Sequence, residues 1–339
     1  MNGDVLRKPL ETLIALLAAA GVVGVVALGV WLVRDGAQQQ AAEREAPPAT
    51  AEHPPPPEPE PEPERAPAPE LFPPALVTKI DAGSSAVRYR GLASADAMFV
   101  EPVEGGLTRM LAVHWGQRPG ALGPVRSARE TDIELLGQFE DPVLAYSGSA
   151  SQLRPSLNAA GFRSVTPGNA PGGFYRDSSR PSPHNLYARP GRLPATPAVD
   201  EPFATGPAPD GGEPTGSYRV SYRSASYEFS WSGDRQRWLV ARGGSPLTTA
   251  ESGRLDAGTV VVLRVPIAEG LGITDSTGAL SPVARTVGSG EAQVLRDGRR
   301  FDGEWSRAAM DEGMELTTTD GEEIPYAEDG KLWVLLVPR

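Results

Sequence analysis

Two arginines, Arg126 and Arg129, stand on either side of a serine that opens an apolar stretch with helical spacing. Ser127 and Glu130 fit a capping box, in which the two side chains satisfy backbone N–H groups at a helix start. Such a start carries partial positive charge, so two guanidinium groups beside it favour an anion. The alternative, slightly favoured by spacing alone, is a structural network in which both arginines pair with carboxylates such as Glu104.

Residue types suited to acid–base chemistry occur in two other segments. Glu104 and Arg109 lie around a Gly-Gly pair just before an apolar strand pattern, and Asp177 and His184 lie in a later polar loop. A histidine with a neighbouring carboxylate can give or accept a proton near neutral pH. We weigh this equally against a neutral His184 that is hydrogen-bonded into its loop. The candidate catalytic residues are therefore Glu104, Asp177 and His184.

A third candidate segment is the Ser147-Gly148 turn, which follows an apolar strand pattern. A nucleophilic serine or an oxyanion-binding amide occupies such a strand-to-helix turn in some hydrolases, but the flanking glycines of that motif are absent, which favours a simple tight turn. The candidate ligand-binding residues are Arg109, Arg126, Ser127, Arg129, Ser147, Gly148, Arg176 and Asn185.

Composition excludes several classes of site and partner. The chain has no cysteine, which excludes disulfides, thiolate zinc sites, a cysteine nucleophile and a lipidated cysteine. Its net charge of −11 is opposite in sign to that of a typical nucleic-acid binder, and no nucleic-acid partner is predicted. No nucleotide, haem, flavin or pyridoxal motif occurs, and the polar residues lack metal-ligand spacing. We therefore predict neither a cofactor nor a metal.

The N-terminal region predicts a membrane anchor followed by a spacer. Residues 13–33 carry no charge and are long enough to span the hydrocarbon of a bilayer, which favours a single-pass helix over a cleaved signal peptide. Residues 1–12 are then a cytoplasmic tail. Residues 34–74, rich in proline and glutamate, are typical of a disordered stalk.

Two folded domains are predicted beyond the stalk. Residues 75–190 alternate strand and helix patterns, which indicates an α/β domain with a mixed or parallel sheet, flanking helices and the candidate ligand site. Residues 191–216 are rich in Pro, Gly and Ala and are taken as a linker. Residues 217–339 carry successive strand patterns separated by turns, which indicates an all-β domain.

Eight motifs in these domains resemble the YerB-like family of bacterial lipoproteins, whose two modules are domains of unknown function. The motifs are Leu-Val-Thr-Lys-Ile-Asp (76–81), Val-Glu-Gly-Gly-Leu-Thr-Arg (103–109), Gly-Pro-Val-Arg-Ser-Ala-Arg (123–129), Tyr-Ser-Gly (146–148), Tyr-Arg-Asp (175–177), Pro-His-Asn-Leu-Tyr (183–187), Gly-Glu-Trp (303–305) and Gly-Lys-Leu-Trp-Val-Leu-Leu-Val-Pro (330–338).

The resemblance implies an extracytoplasmic, membrane-tethered protein, with the N-terminus cytoplasmic and both C-terminal domains outside the cell membrane. Because this chain lacks the lipidated cysteine of the family, the single-pass helix takes the place of the lipid. The resemblance assigns no catalytic role. It implies only that one cleft gathers Glu104, Arg109, Arg126, Arg129, Asp177, His184 and Asn185.

Two functions follow from these observations. The first is a cell-envelope protein that binds an anionic envelope ligand, such as a cell-wall glycan, or a protein partner through an arginine-lined cleft. The alternative is an envelope hydrolase or transferase acting on a glycan or phosphodiester, with Glu104, Asp177 and His184 as acid–base groups. Carboxylates consumed by arginine pairing would favour the first function or a purely structural role. A structural adaptor that binds no small ligand would have its cleft filled by side chains.

Overall fold

The computed structural model describes residues 69–82, 88–251, 253–275, 277–328 and 330–339. The predicted tail, the predicted membrane helix 13–33 and the stalk as far as residue 68 lie outside the described residues. Within the described ranges, no helix is long and apolar enough to cross a membrane. Phe72, at the end of the predicted stalk, is already buried in the fold.

The regular structure consists mostly of strands, with two short α-helices among the described residues. The first strands are β1 (Leu76–Asp81), β2 (Ala97–Pro102), β3 (Thr108–His114), β4 (Val143–Ala145), β5 (Arg163–Val165), β6 (Phe174–Arg176) and β7 (Leu186–Ala188). The helices are α1 (Thr131–Leu136) and α2 (Arg154–Ala159). The later strands are β8 (Glu213–Pro214), β9 (Ser217–Ser221), β10 (Ser226–Ser232), β11 (Arg237–Arg242), β12 (Ser245–Pro246), β13 (Asp256–Ala257), β14 (Thr259–Val265), β15 (Ile267–Ala268), β16 (Val283–Ala284), β17 (Gly288–Arg296), β18 (Arg299–Arg307), β19 (Glu315–Thr318) and β20 (Leu332–Pro338).

Strands from both predicted domains share one mixed sheet. Its order is β19-β18-β17-β14-β20-β2-β3-β1-β4-β5, with β8 beside β18. The C-terminal strand β20 runs parallel to β2, so the last strand of the chain lies in the middle of the sheet beside an early one. The N-terminal half is mixed, because β4 is parallel to β1 and β5 while β3 is antiparallel to β1 and β2.

The two faces of this sheet are covered differently. A second sheet, in the order β12-β11-β10-β9 with β13 beside β11, packs on one face through Tyr227, Phe229 and Trp238. The other face packs against α1 and α2 through Leu135 and Leu157. Burial of apolar side chains on both faces is the main stabilisation of a sheet enclosed in this way.

Strand register brings charged residues together at one end of the sheet. Asp81 on β1 lies opposite Arg109 on β3, and Arg109 in turn lies opposite Glu101 on β2. Lys79 lies two residues before Asp81, so both side chains project from the same face of β1. That face is the one on which α1 packs, as the burial of Val77 beside Leu135 in the same apolar cluster shows.

The start of α1 differs from the predicted capping box. The residue that precedes the helix, Glu130, already has helical dihedral angles, and no side chain caps the helix end. The Ser127 Oγ instead lies 3.3 Å from the Ser147 Oγ. The N–H of Arg129 donates to Asp132 Oδ2 at 2.8 Å, and this carboxylate replaces the predicted serine as the local acceptor. The capping-box prediction was therefore wrong.

The segment 191–216 packs against the sheet. Phe203 makes edge-to-face contacts with Phe72, Trp115 and Tyr326, with ring centroids 6.3, 5.8 and 5.1 Å apart. The N–H of Val199 donates to the Trp115 carbonyl at 3.3 Å. This segment is therefore held by residues from both ends of the folded chain.

Candidate functional site

A fully buried ion-pair group lies under α1. Lys79 Nζ donates to Glu101 Oε1 and to Asp132 Oδ1, the latter at 2.5 Å, and none of the three side chains is exposed. When all three side chains are ionised, the two carboxylates and the one ammonium give this group one excess negative charge. Burial and the nearby Asp132 carboxylate raise the pKa of Glu101 to about 7, against the opposing effect of Lys79.

Arg129 links this buried group to the surface. Its backbone N–H is bound to Asp132, while its guanidinium Nη2 donates to Glu104 Oε2 at 2.8 Å and its Nε lies 2.6 Å from Glu104 Oε1. Burial acts to raise the pKa of Glu104, but the hydrogen bond and charge of Arg129 outweigh it and hold that pKa below its ordinary value. Glu104 is therefore an ionised partner of Arg129.

A second charged group is centred on Asp81, whose side chain is fully buried. Arg109 Nη1 lies 3.7 Å from Asp81 Oδ1, and Arg126 Nε lies 3.8 Å from Asp81 Oδ2. His184 Nδ1 makes a short contact with the same Oδ2. The histidine side chain is 37% exposed, so it connects the buried carboxylate with solvent.

The three arginines of these groups lie close enough to interact. Burial lowers the pKa of Arg109 to about 10, and the charges of Arg126 and Arg129 add to this effect while Asp81 opposes it. Arg109 and Arg126 each have a buried Nε atom without a hydrogen-bond partner. Arg109, Arg126 and Arg129 therefore form a positively charged group, hereafter the arginine site, with donor capacity that its two carboxylate partners, Asp81 and Glu104, leave unused.

A cavity of about 280 Å³ adjoins this site at Glu104, Ser127 and Arg129. Its far wall comes from the C-terminal half of the chain, in the loop between β15 and β16 that includes Ile273 and Asp275. The loop and the adjoining β16 are fixed to the start of α1, because the N–H of Leu271 donates to Glu130 at 2.8 Å and that of Ala284 to Thr131 at 3.0 Å. Both halves of the chain therefore enclose the cavity.

The loop between β6 and β7 holds the remaining predicted residues in a separate set of contacts. Asp177 accepts hydrogen bonds from the Ser179 side chain at 2.6 Å and its N–H at 3.0 Å, and its other oxygen lies 3.3 Å from Arg180 Nε. These hydrogen bonds, more than the charge of Arg180, lower the pKa of Asp177. Asn185 accepts from Arg176 Nη1 at 2.6 Å and donates to the Arg180 carbonyl at 3.2 Å.

The predicted residues thus divide among several groups of contacts. Arg109, Arg126 and His184 meet at Asp81, and Glu104 meets Arg129. Of the other predicted ligand-binding residues, Ser127 and Ser147 contact each other, and Gly148 follows Ser147. Arg176 and Asn185 are hydrogen-bonded to each other at the β6–β7 loop. Glu104 pairs with Arg129, Asp177 is held by Ser179 and Arg180, and His184 contacts Asp81, so the three candidate acid–base groups have different partners.

Sequence reasoning missed the residues at the centre of both groups: Lys79, Asp81, Glu101 and Asp132. A usable signal was the occurrence of Lys79 and Asp81 at alternate positions of an otherwise apolar strand, which places two charges on a face that must be buried. Among the described residues, no group of three or more His, Asp or Glu side chains is arranged to hold a metal ion.

Comparison with known proteins defines the class of protein. The sequence profile of "Protein of unknown function (DUF3048) N-terminal domain" matches residues 66–201, and that of the DUF3048 C-terminal domain matches residues 218–334. Together the two segments cover more than half of the chain. The chain is also 35% identical over 99 residues to "Putative lipoprotein YerB" of Bacillus subtilis, a stretch that covers 29% of each protein and thus less than a third of YerB.

The crystal structure of YerB from Bacillus subtilis has the same fold. It matches this chain with a TM-score of 0.67 at 19% sequence identity, covering 78% of this chain and 91% of that one. This chain therefore belongs to the YerB-like family of paired DUF3048 domains, and the resemblance inferred from the eight motifs is confirmed.

Proposed function

We propose that this protein is a membrane-tethered, extracytoplasmic protein of the cell envelope that binds an anionic ligand at the arginine site. The tether and the location are supported by the name of YerB as a lipoprotein and by the apolar stretch 13–33 of this chain. The ligand class is supported by the charge of the site. An envelope glycan with carboxylate or phosphate groups, or an acidic protein segment, has this chemistry.

The arginine site itself carries the proposal. Three guanidinium groups lie together with two carboxylates, and burial makes Arg109 costly to keep charged, as its lowered pKa indicates. A buried donor without a partner costs about 1–3 kcal/mol, and a bound oxyanion would supply the missing acceptors. Arginine suits this role because its planar fork matches carboxylate and phosphate oxygens.

The contacts of the carboxylates favour binding over acid–base catalysis. A general acid or base needs a free site within hydrogen-bond reach of the substrate. Both Glu104 oxygens face Arg129, and Asp177 is held by Ser179 and Arg180. An ionised carboxylate whose pKa is lowered by arginine is a weak proton acceptor near neutral pH.

The test is the affinity of the purified full-length protein for inorganic phosphate and sulfate, measured by isothermal titration calorimetry. We expect Arg126→Ala to weaken binding tenfold or more, because it removes one charge-assisted donor. The matched control is Arg219→Ala, which removes an exposed arginine paired with Glu228 far along the chain.

The melting temperature of each variant separates a binding role from a structural one. Arg126 is about one-fifth exposed, so its removal should change the melting temperature by only a few degrees. Unchanged phosphate affinity in Arg126→Ala, or unfolding of the variant together with unfolding of Arg126→Lys, would refute the proposal.

A further inference from the structure

The β6–β7 hairpin and the residues beside it carry arginines that are not part of the arginine site. Residues 174–192 contain four arginines and one carboxylate, Asp177, and residues 88–90 add two more arginines. The chain as a whole has a net charge of −11, so this concentration of positive charge is strongly local. We call these six residues the arginine strip: Arg88, Arg90, Arg176, Arg180, Arg189 and Arg192.

Stacked rings hold the middle of the strip together. The Arg90 guanidinium lies 5.6 Å from the centre of the Tyr187 ring, and the Arg189 guanidinium lies 4.4 Å from that of Tyr175. The two tyrosine rings stack on each other at 5.6 Å with an interplanar angle of 26°. Each guanidinium is thus oriented by an aromatic face, which fixes its position and leaves it charged.

The remaining members join this stack through polar contacts. Arg176 donates to the Asn185 side chain, which itself donates to the Arg180 carbonyl. Arg189 donates to the Gly172 carbonyl at 3.2 Å, and a Cβ atom placed on Gly172 would lie 3.3 Å from Arg192 Nη1. At the other end, the Tyr187 hydroxyl donates to the Arg88 carbonyl at 3.1 Å.

The strip is continuous with the arginine site. His184 belongs to the β6–β7 loop and contacts Asp81, the carboxylate that also pairs with Arg109 and Arg126. A ligand that lies along the strip therefore passes the edge of the arginine site. One small anion can neutralise only one or two of these charges, whereas a chain with regularly repeated anionic groups can contact several at once.

The aromatic residues indicate which polyanion fits. Proteins that bind single-stranded nucleic acid present exposed aromatic faces on which bases stack. Here Tyr187 has no exposed surface, and Tyr175, which is only partly exposed, contacts both Tyr187 and Arg189. The strip therefore offers charge without a platform for bases, which suits a polymer of sugar acids or of phosphate esters.

We propose that the arginine strip binds a linear polyanion that carries an acidic group in each repeat, with one repeat seated at the arginine site. This inference rests on the proposed function, because it extends the same anionic ligand along a second surface. The binding of the polymer is then governed by electrostatic attraction and weakens steeply with salt.

The experiment compares a polymer with its monomer on the full-length protein. Long-chain inorganic polyphosphate and polygalacturonate are the two polymeric probes, and inorganic phosphate and galacturonate are the monomers. The test variant is Arg88→Gln/Arg192→Gln, since both side chains are exposed. The control is Arg154→Gln/Arg235→Gln, which changes the net charge equally at exposed positions outside the strip.

We expect the test variant to lose tenfold or more of its affinity for at least one polymer and to show a shallower salt dependence, with monomer binding unchanged. The control variant should behave as the parent protein. Equal effects of the two double variants on polymer affinity, polymers bound no more tightly than their monomers, or single-stranded dT oligomers bound as tightly as either polymer, would overturn the inference.

The two proposals fail in different ways. If the test variant keeps the polymer affinity of the parent protein while phosphate binding still depends on Arg126, the strip is refuted and the arginine site remains. Phosphate affinity that does not respond to Arg126→Ala would refute the arginine site, whatever the polymer does.

Discussion

Lys79 Nζ lies 2.5 Å from Asp132 Oδ1, and neither side chain has any exposure to solvent. The two residues are 53 positions apart, so this contact fastens α1 onto β1. The same ammonium also binds Glu101 on β2. One buried lysine thus joins a helix and two strands beneath the arginine site.

Lys79→Met should destabilise the protein by about 3–5 kcal/mol, because it leaves two carboxylates buried without a counter-charge. Urea unfolding followed by circular dichroism measures this change. The double variant Lys79→Met/Glu101→Gln, which removes one of the two carboxylate charges, should recover part of the loss. A single variant as stable as the parent would show that the ion pairs contribute little.

Glu101→Gln should change how stability depends on pH. The folded protein raises the pKa of Glu101 to about 7, so the stabilisation from its protonated form is present below the ordinary pKa near 4.5 and is lost as pH rises through about 7. The melting temperature of the parent should therefore fall relative to that of Glu101→Gln between pH 5 and pH 8. A constant difference between the two proteins would contradict the raised pKa.

Glu104→Gln should increase the affinity for inorganic phosphate severalfold. The carboxylate occupies both the Nε and Nη2 sides of Arg129, so it competes with any anion for that guanidinium. Calorimetric titration gives the affinity, and Glu228→Gln, at an exposed ion pair with Arg219, is the control. Weaker binding in Glu104→Gln than in the control would mean that the carboxylate supports the ligand.

His114 should stay neutral in the folded protein well below its ordinary pKa. Burial lowers the pKa of His114 to about 4. The resulting stabilisation is present above pH 6.5 and is lost as pH falls through about 4. Nuclear magnetic resonance of the imidazole should show no protonation at pH 5.5, and observation of the imidazolium at that pH would refute this expectation.

Phe203→Ala should destabilise the protein by roughly 1–3 kcal/mol, less than a fully buried phenylalanine would. The Phe203 ring packs against Trp115 and Tyr326, so a loss of stability in this variant would show that the segment 191–216 is part of the folded unit. Denaturant unfolding of Phe203→Ala and of the exposed control Met310→Ala measures the difference. Equal midpoints for the two variants would indicate that the segment contributes no stability.

The local sequence pattern was sufficient to predict many of the strands. Alternating apolar residues and turn residues predicted successive strands in 217–339, and this region contains β9, β10 and β14 among its strands. Pro155 lies in the first turn of α2, which begins at Arg154 after a short 3-10 turn, because proline fits only the start of a helix. These features depend on backbone dihedral preferences and on the period of apolar residues, which act over a few positions.

Strand β18 could not be recognised from the pattern of apolar residues in the sequence. Its residues alternate between exposed and buried, but the buried positions include Gly303 and Arg307 as well as Phe301 and Trp305. Glycine and arginine are not residues that indicate a buried strand position, so the alternation of apolar residues is interrupted in the sequence. Arg307 is buried because it binds the carbonyl groups of Glu134, Met310 and Glu312, which only the folded chain supplies.

An apolar stretch at 13–33, strand-rich folded parts, YerB-like motifs and arginines in polar loops can all be recognised in the amino-acid sequence. Which charged residues contact one another depends on the folded chain. The fold places His184 against Asp81, 103 positions away, and encloses the cavity beside Arg129 with a loop from the C-terminal half. Contacts at such separations are set by sheet register and by the burial of apolar faces, and no short-range spacing specifies them.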